Sequence, residues 1–76
     1  RAQGLRLDRR TRMLYDAYHV YLNGESYRVG GRDARLLRHL ADGRALDARA
    51  VATGSDDLRE SFDDWCRQGW MFWEAA

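Results

Sequence analysis

An Asn-Gly dipeptide between two alternating runs of polar and apolar residues is the feature that most limits how this chain can fold. Asn23-Gly24 lies in the middle of YHVYLNGESYRV, residues 18–29. A type I′ turn needs a positive φ at both central residues, and Asn-Gly is the dipeptide that adopts it most readily. The sequence therefore predicts a two-residue β-hairpin with its tip at these two residues.

Pairing the two runs around that turn sorts their side chains onto two faces. The predicted pairs are Leu22 with Glu25, Val20 with Tyr27, and Tyr18 with Val29. One face is then apolar and carries Tyr18, Val20, Leu22, Tyr27 and Val29, whereas the other is mainly polar and carries His19, Tyr21, Ser26 and Arg28. Such a division is typical of a sheet that is buried on one side.

The segments before the hairpin are less clearly patterned. Residues 1–10 are basic and contain two leucines, so they are interpreted as a linker or as the start of a first strand from about Leu5. Residues 11–15 fit a strand whose register stays open. Together with the hairpin, this strand predicts an N-terminal β-hairpin or meander.

Three helices and a last strand are predicted after the hairpin. The first helix follows Gly30-Gly31 and has Gly43 as its C′ residue. Asp47 caps a short helix to about Thr53, Ser55 caps a third helix that ends at Gly69, and residues 70–74 form a strand. This order predicts an α+β, winged-helix-like fold over residues 11–76.

Length and composition narrow the class of protein. Seventy-six residues make one domain at most. The lone cysteine, Cys66, favours a reducing compartment, and no run of about 18 apolar residues predicts a membrane span. The chain starts at Arg1 without a signal-peptide pattern, so we expect a cytoplasmic fragment of a larger protein.

Charge is divided unevenly along the chain. Residues 1–38 contain nine arginines and four acids, a net charge of +5, whereas residues 39–76 contain four arginines and eight acids, a net charge of −4. The third helix carries Asp56, Asp57, Glu60, Asp63 and Asp64 against Arg59 and Arg67. Because that helix would enter the DNA groove in a helix-turn-helix mode, specific DNA binding is not expected.

An independent nucleic-acid-binding module remains the alternative. The arginines that could pair with phosphates are Arg1, Arg6, Arg9, Arg10 and Arg12 near the N-terminus and Arg32, Arg35 and Arg38 on the first helix. A solvated charged surface would account for the same residues.

No residue pattern predicts a catalytic, cofactor-binding or metal-binding site within this chain. His19, His39 and Cys66 lack close-spaced ligand partners. The His-x-Asp spacing of a non-haem iron site is missing, since positions 21 and 41 are Tyr and Ala. Acidic neighbours should raise the pKa of the Cys66 thiol, which disfavours cysteine catalysis.

The last strand is apolar on both faces. Trp70 and Phe72 are predicted to face the core, with Met71 and Trp73 on the opposite face. The predicted interaction surface therefore comprises Trp73 and Met71, together with the acidic residues Asp56, Asp57, Glu60, Asp63 and Asp64.

Two short motifs resemble a known family. The segment His19-Val20-Tyr21-Leu22-Asn23-Gly24-Glu25 and the ending Gly69-Trp70-Met71-Phe72-Trp73-Glu74 are similar to the C-terminal domain of bacterial ribosomal oxygenases. These JmjC/cupin-type proteins hydroxylate an arginine of a large-subunit ribosomal protein. The resemblance covers roughly residues 11–76.

The resemblance implies a parent protein with a cupin catalytic domain that uses Fe(II) and 2-oxoglutarate, a helical dimerisation segment and this winged helix. No residue here matches the iron ligands or the 2-oxoglutarate site, so the chain is expected to be a non-catalytic accessory domain. Its expected partners are the other domains of the parent and a basic ribosomal protein, which the acidic surface could attract.

Overall fold

A computed structural model describes residues 3–75 and confirms an α+β, winged-helix-like architecture. The elements, in chain order, are β1 (Gln3–Leu7), β2 (Met13–Tyr15), β3 (His19–Leu22), β4 (Glu25–Arg28), α1 (Gly31–Gly43), β5 (Ala45–Leu46), α2 (Ala48–Val51), α3 (Asp56–Arg67) and β6 (Met71–Ala75). Among the described residues, no helix has the length and hydropathy needed to cross a membrane. Arg1, one of the arginines that could pair with phosphates, lies outside the described residues.

The predicted hairpin is confirmed as β3 and β4. Asn23 and Gly24 have φ values of 50° and 90°, and Leu22 lies opposite Glu25. The side-chain oxygen of Asn23 accepts a hydrogen bond from the backbone N–H of Arg12 at 2.8 Å, which attaches β2 to the turn. The three strands form a sheet in the order β2-β3-β4.

Strand β2 pairs in a register that the sequence had left open, and one hairpin residue departs from the prediction. Met13 lies opposite Leu22, so its side chain joins the buried face. Tyr18, which was placed on that apolar face, is 65% exposed. Its carbonyl oxygen still accepts a hydrogen bond from the backbone N–H of Val29 at 3.0 Å, so only its side chain departs from the prediction.

Residues 3–7 are a strand rather than a linker, and they form the centre of a second sheet. This sheet has the order β5-β1-β6, and both neighbours pair antiparallel to β1. Leu5 and Leu7 are buried in the hydrophobic core. Residues 3–7 therefore take part in the fold, in keeping with the interpretation of residues 1–10 as the start of a first strand.

A close backbone approach explains the glycine in β1. A Cβ built on Gly4 would lie 2.9 Å from the carbonyl oxygen of Leu46, closer than such atoms approach in proteins. Only a residue without a side chain lets β5 and the start of α2 approach β1 this closely.

The helices begin where predicted, but α1 ends one residue later than expected. The side chains of Asp47 and Ser55 accept hydrogen bonds from Ala50 N and Leu58 N, as N-caps do. Gly43 was predicted as the C′ residue of α1. The left-handed residue is instead Arg44, with a φ of 63°, and Gly43 lies inside the helix.

The side chain of Arg44 forms hydrogen bonds that accompany its left-handed backbone conformation. Its guanidinium donates hydrogen bonds of 2.9 Å to the carbonyl oxygens of Asp8 and Thr11. Its own carbonyl accepts a hydrogen bond from Leu7 N. The residue thus joins the end of α1 to both β1 and the loop that leads to β2.

The core collects one face of each sheet and one stripe of each helix. Its buried members are Leu5, Leu7, Met13, Val20, Leu22, Leu36, Leu37, Leu40, Leu46, Val51, Leu58, Phe62, Trp65 and Met71. Tyr27 and Trp65 meet edge to face with ring centroids 5.2 Å apart, which connects the hairpin to α3.

The predicted faces of the last strand are the wrong way round. Met71 is 2% exposed and Phe72 is 45% exposed. Leu7 lies opposite Met71, and Leu5 lies opposite Trp73. Since cross-strand partners share a face, Met71 and Trp73 pack with the buried leucines, and Phe72 faces away from the core.

The two faces of β6 should respond differently to truncation. We expect Met71→Ala to lower the free energy of unfolding by about 2–5 kcal/mol, because it opens a cavity in the core. Phe72→Ala should cost less than about 1 kcal/mol, as is usual for exposed side chains. Urea denaturation of both variants measures the difference, and a larger loss for Phe72→Ala would contradict this arrangement.

Two substitutions at Arg44 separate its side-chain bonds from its backbone strain. Arg44→Ala should cost about 2 kcal/mol, because hydrogen bonds from a charged group to carbonyls are lost. Arg44→Gly loses the same bonds but should be about 1 kcal/mol more stable than the alanine variant, since glycine tolerates a positive φ. Arg49→Ala, an exposed arginine, is the control, and equal stability of wild type and Arg44→Ala would refute the role of the guanidinium.

Candidate interaction surfaces

The five predicted acidic residues lie together on the exposed side of α3. The apolar residues Leu58, Phe62 and Trp65 recur at the spacing of one helical face and are buried. Most of the remaining positions of α3 face solvent, apart from Ser61 and Cys66, which are partly buried. This acidic face comprises Asp56, Asp57, Glu60, Asp63 and Asp64, and all five are exposed.

Few cations neutralise the acidic face. Arg67 forms an ion pair with Asp64, and Arg59 forms none within residues 3–75. Five carboxylates against these two arginines leave α3 with a net charge of −3. Asp56 and Asp57 lie in the first turn, where the helix dipole favours negative charge.

A contact from α1 fixes the start of this helix. Ser55 donates its hydroxyl to a carboxylate oxygen of Asp33 at 2.5 Å, and its backbone N–H bonds the other oxygen at 3.1 Å. The same hydroxyl accepts a hydrogen bond from Leu58 N. The acidic face is therefore held in a defined orientation relative to α1.

The two predicted apolar interface residues do not form an exposed patch. Met71 is buried, and Trp73 packs edge to face on Phe62 with ring centroids 6.2 Å apart. Trp73 remains partly accessible, and it lines a cavity of about 230 Å³ together with Arg59 and Asp63. The structure thus brings Trp73, but not Met71, to the edge of the acidic face.

Phe72 is an exposed aromatic residue that the sequence reasoning assigned to the core. It lines a cavity of about 490 Å³ with Arg6, Arg9 and Arg10 on the outer face of the β5-β1-β6 sheet. Arg6 forms an ion pair of 2.8 Å with Glu74 there. The alternation of Leu5, Arg6 and Leu7 could have revealed this face, because it predicts that Arg6 points to solvent. Phe72 lies opposite Arg6 in the sheet and therefore shares its solvent-facing side.

A third surface is a basic groove between α1 and α2, with a volume of about 640 Å³. It is lined by Arg32, Arg35, Leu36 and His39 of α1 and by Asp47, Arg49, Ala50 and Thr53 of the second helix and its flanks. Arg32 and Arg35 are two of the three arginines on the first helix that the sequence suggested as phosphate partners. The third, Arg38, does not line this groove, and Arg49 was not among the predicted residues.

Asp16, His19 and Tyr21 form a polar cluster beside the start of β3. Asp16 accepts hydrogen bonds from the Tyr21 hydroxyl at 2.7 Å and from the backbone N–H groups of Tyr18 and His19. These bonds, that of Tyr21 first, lower the pKa of Asp16 to about 2. His19 stacks on Tyr21, so this cluster fixes the turn that leads into β3.

Cys66 is half-buried on α3, and burial, followed by the nearby charge of Asp63, raises the pKa of its thiol. A raised pKa disfavours the reactive thiolate at neutral pH. Within residues 3–75, no three His, Cys, Asp or Glu side chains are grouped so that they could hold a metal ion.

Comparison with known proteins adds one finding to this geometry. A family model described as ROXA-like winged helix matches residues 1–72. No curated protein and no solved structure matches the chain. The matched span includes β1, the hairpin, all three helices and the start of β6, so it covers the surfaces described above. With nearly its whole length matched, the chain belongs to the ROXA-like winged helix family.

Proposed function

We propose that this domain is the non-catalytic C-terminal accessory and interaction domain of an Fe(II)/2-oxoglutarate-dependent cupin (JmjC) protein hydroxylase that acts on a ribosomal protein. Membership of the ROXA-like winged helix family is the observation that carries the proposal. A ribosomal protein substrate also implies that the parent works in the cytoplasm.

The iron and the 2-oxoglutarate belong, in this proposal, to a catalytic domain outside this chain. The described residues do not converge in a way that would hold iron, as noted above. This domain would contribute two binding surfaces, one that contacts the other domains of the parent protein and one that contacts the substrate. Phe72, exposed on the outer sheet face, is one apolar residue suited to contact the catalytic or dimerisation domain.

The acidic face of α3 is the surface suited to a basic ribosomal protein. Its net charge of −3 comes from side chains that are exposed along the whole helix. Complementary charge accelerates encounter between proteins and orients them, and salt weakens the effect. The face would thus concentrate a basic substrate near the parent enzyme without taking part in catalysis.

The same geometry disfavours the alternative of a DNA-reading module. In a helix-turn-helix mode, the third helix enters the major groove and approaches the phosphates. Here that helix presents five exposed carboxylates. Like-charge repulsion would oppose this docking, whatever the arginines elsewhere contribute.

Parentage can be tested from the gene. We expect the coding sequence upstream of Arg1 to encode a cupin domain with a His-x-Asp pair and a later His, followed by a helical segment. Fe(II) ligation by two histidines and one carboxylate requires that set. A ligand-binding domain of a transcription regulator in its place would contradict the proposal and favour a nucleic-acid-binding module.

The role of the acidic face can be tested with a matched pair of substitutions. Glu60→Gln removes a carboxylate from α3, and Glu25→Gln removes an equally exposed carboxylate from β4. At low salt, Glu60→Gln should weaken binding of purified large-subunit ribosomal proteins about twofold to fivefold, whereas Glu25→Gln should not. Biolayer interferometry across a salt series measures this.

The salt series also shows whether the effect of the α3 substitution is electrostatic. The difference between the variant and the wild type should shrink as ionic strength rises, because exposed charges are screened. Equal weakening by Glu25→Gln would mean that only net charge matters. Unchanged binding by the α3 variant would remove the acidic face from the proposal.

A further inference from the structure

The basic groove between α1 and α2 is not used by the function proposed above. Arg32, Arg35 and His39 recur at positions i, i+3 and i+7 of α1, so they lie along one side of that helix. Arg49 stands on α2 across the groove. These four side chains are all exposed.

The cations of the groove lack partners in the described part of the chain. Arg32, Arg35 and Arg49 form no ion pair with any residue from 3 to 75. The one carboxylate at the rim, Asp47, accepts a hydrogen bond from Ala50 N as the helix cap. Three arginines against this single acid leave the lining with a net charge of +2.

The floor of the groove is aliphatic. Leu36 is a core residue with 6% of its surface exposed and Ala50 is partly buried, and both line the groove between the arginines. No phenylalanine, tyrosine or tryptophan lines it, so bases would find no ring to stack on apart from the imidazole of His39. A floor of this kind suits an aliphatic side chain better than a nucleotide.

We propose that this groove binds an acidic segment of a partner protein, with one aliphatic side chain of the segment seated on Leu36 and Ala50. Guanidinium groups match carboxylates with two parallel hydrogen bonds, and three of them surround the floor. From Arg32 to His39 the groove runs about 10 Å along α1, room for three extended residues or two helical turns.

A second copy of this chain offers no segment of that chemistry: its exposed Leu14 lies between Arg12 and Asp16, where the charges cancel. Its acidic helix, α3, carries carboxylates, but its apolar residues Leu58, Phe62 and Trp65 are buried in their own core. No aliphatic side chain of α3 is therefore free to reach the floor. The occupant is a different protein, and this inference stands independently of the ribosomal protein partner proposed above.

The experiment uses the 76-residue domain and a fluorescent acidic heptapeptide with one central leucine. We expect saturable binding with a Kd of about 10–100 μM at low salt, measured by fluorescence anisotropy. Arg35→Gln combined with Arg49→Gln should raise the Kd at least about tenfold. Arg28→Gln, an exposed arginine of β4 away from the groove, is the matched control and should leave the Kd unchanged.

A second peptide and a second probe complete the test. Replacing the central leucine by serine should weaken binding about fivefold or more, because the aliphatic contact is lost. Equal affinity for the two peptides would refute the proposed contact of the leucine with Leu36 and Ala50. Tighter, arginine-dependent binding of a single-stranded RNA oligonucleotide, or no saturable peptide binding below 1 mM, would overturn the proposal itself.

These outcomes separate the groove from the acidic face. The Glu60→Gln and Asp63→Asn substitutions on α3 should not weaken binding of the acidic peptide, since they remove only negative charge. Melting curves of the arginine variants should overlay that of the wild type, because the substituted side chains are exposed. Loss of peptide binding upon substitution of α3 alone would place the site elsewhere and overturn the proposal.

Discussion

The guanidinium of Arg44 is the contact on which the arrangement of the two sheets depends. It bonds the carbonyl oxygens of Asp8 and Thr11, while its backbone ends α1 and pairs with Leu7. Thr11 in turn donates its hydroxyl to the carbonyl of Trp70, just before β6. Arg44 and its immediate partners thus connect both sheets, the first helix and the start of the last strand.

Separation of charge follows from the way the helices bury their apolar stripes. Each of the two long helices turns its leucines or aromatic residues inward, so its charged residues are directed to solvent. The charged residues of α3 are mostly acidic, whereas those of α1 that face α2 are basic. The domain therefore carries an acidic face on one helix and a basic groove beside another, so the two kinds of charge lie on separate surfaces.

The assignment of the last strand shows where pattern alone misleads. Residues 70–73 are apolar at every position, so alternation cannot say which side chains face the core. The decision comes from β1, sixty-odd residues earlier in the chain, where Leu5 and Leu7 flank Arg6. Pairing with this strand places Met71 and Trp73 inside and leaves Phe72 exposed on the outer sheet face.

The sequence by itself determined the features that depend on neighbouring residues. The Asn23-Gly24 turn, the caps at Asp47 and Ser55, the buried stripe of α3 and its acidic face all follow from local sterics, hydrogen bonding and helical periodicity. Only the tertiary structure decided that residues 3–7 are a central strand, that Arg44 rather than Gly43 takes the left-handed conformation, and that Arg49 joins Arg32 and Arg35 around one groove. Each of these depends on contacts between segments distant in the chain, and their energies outweigh the weak local preferences of the residues involved.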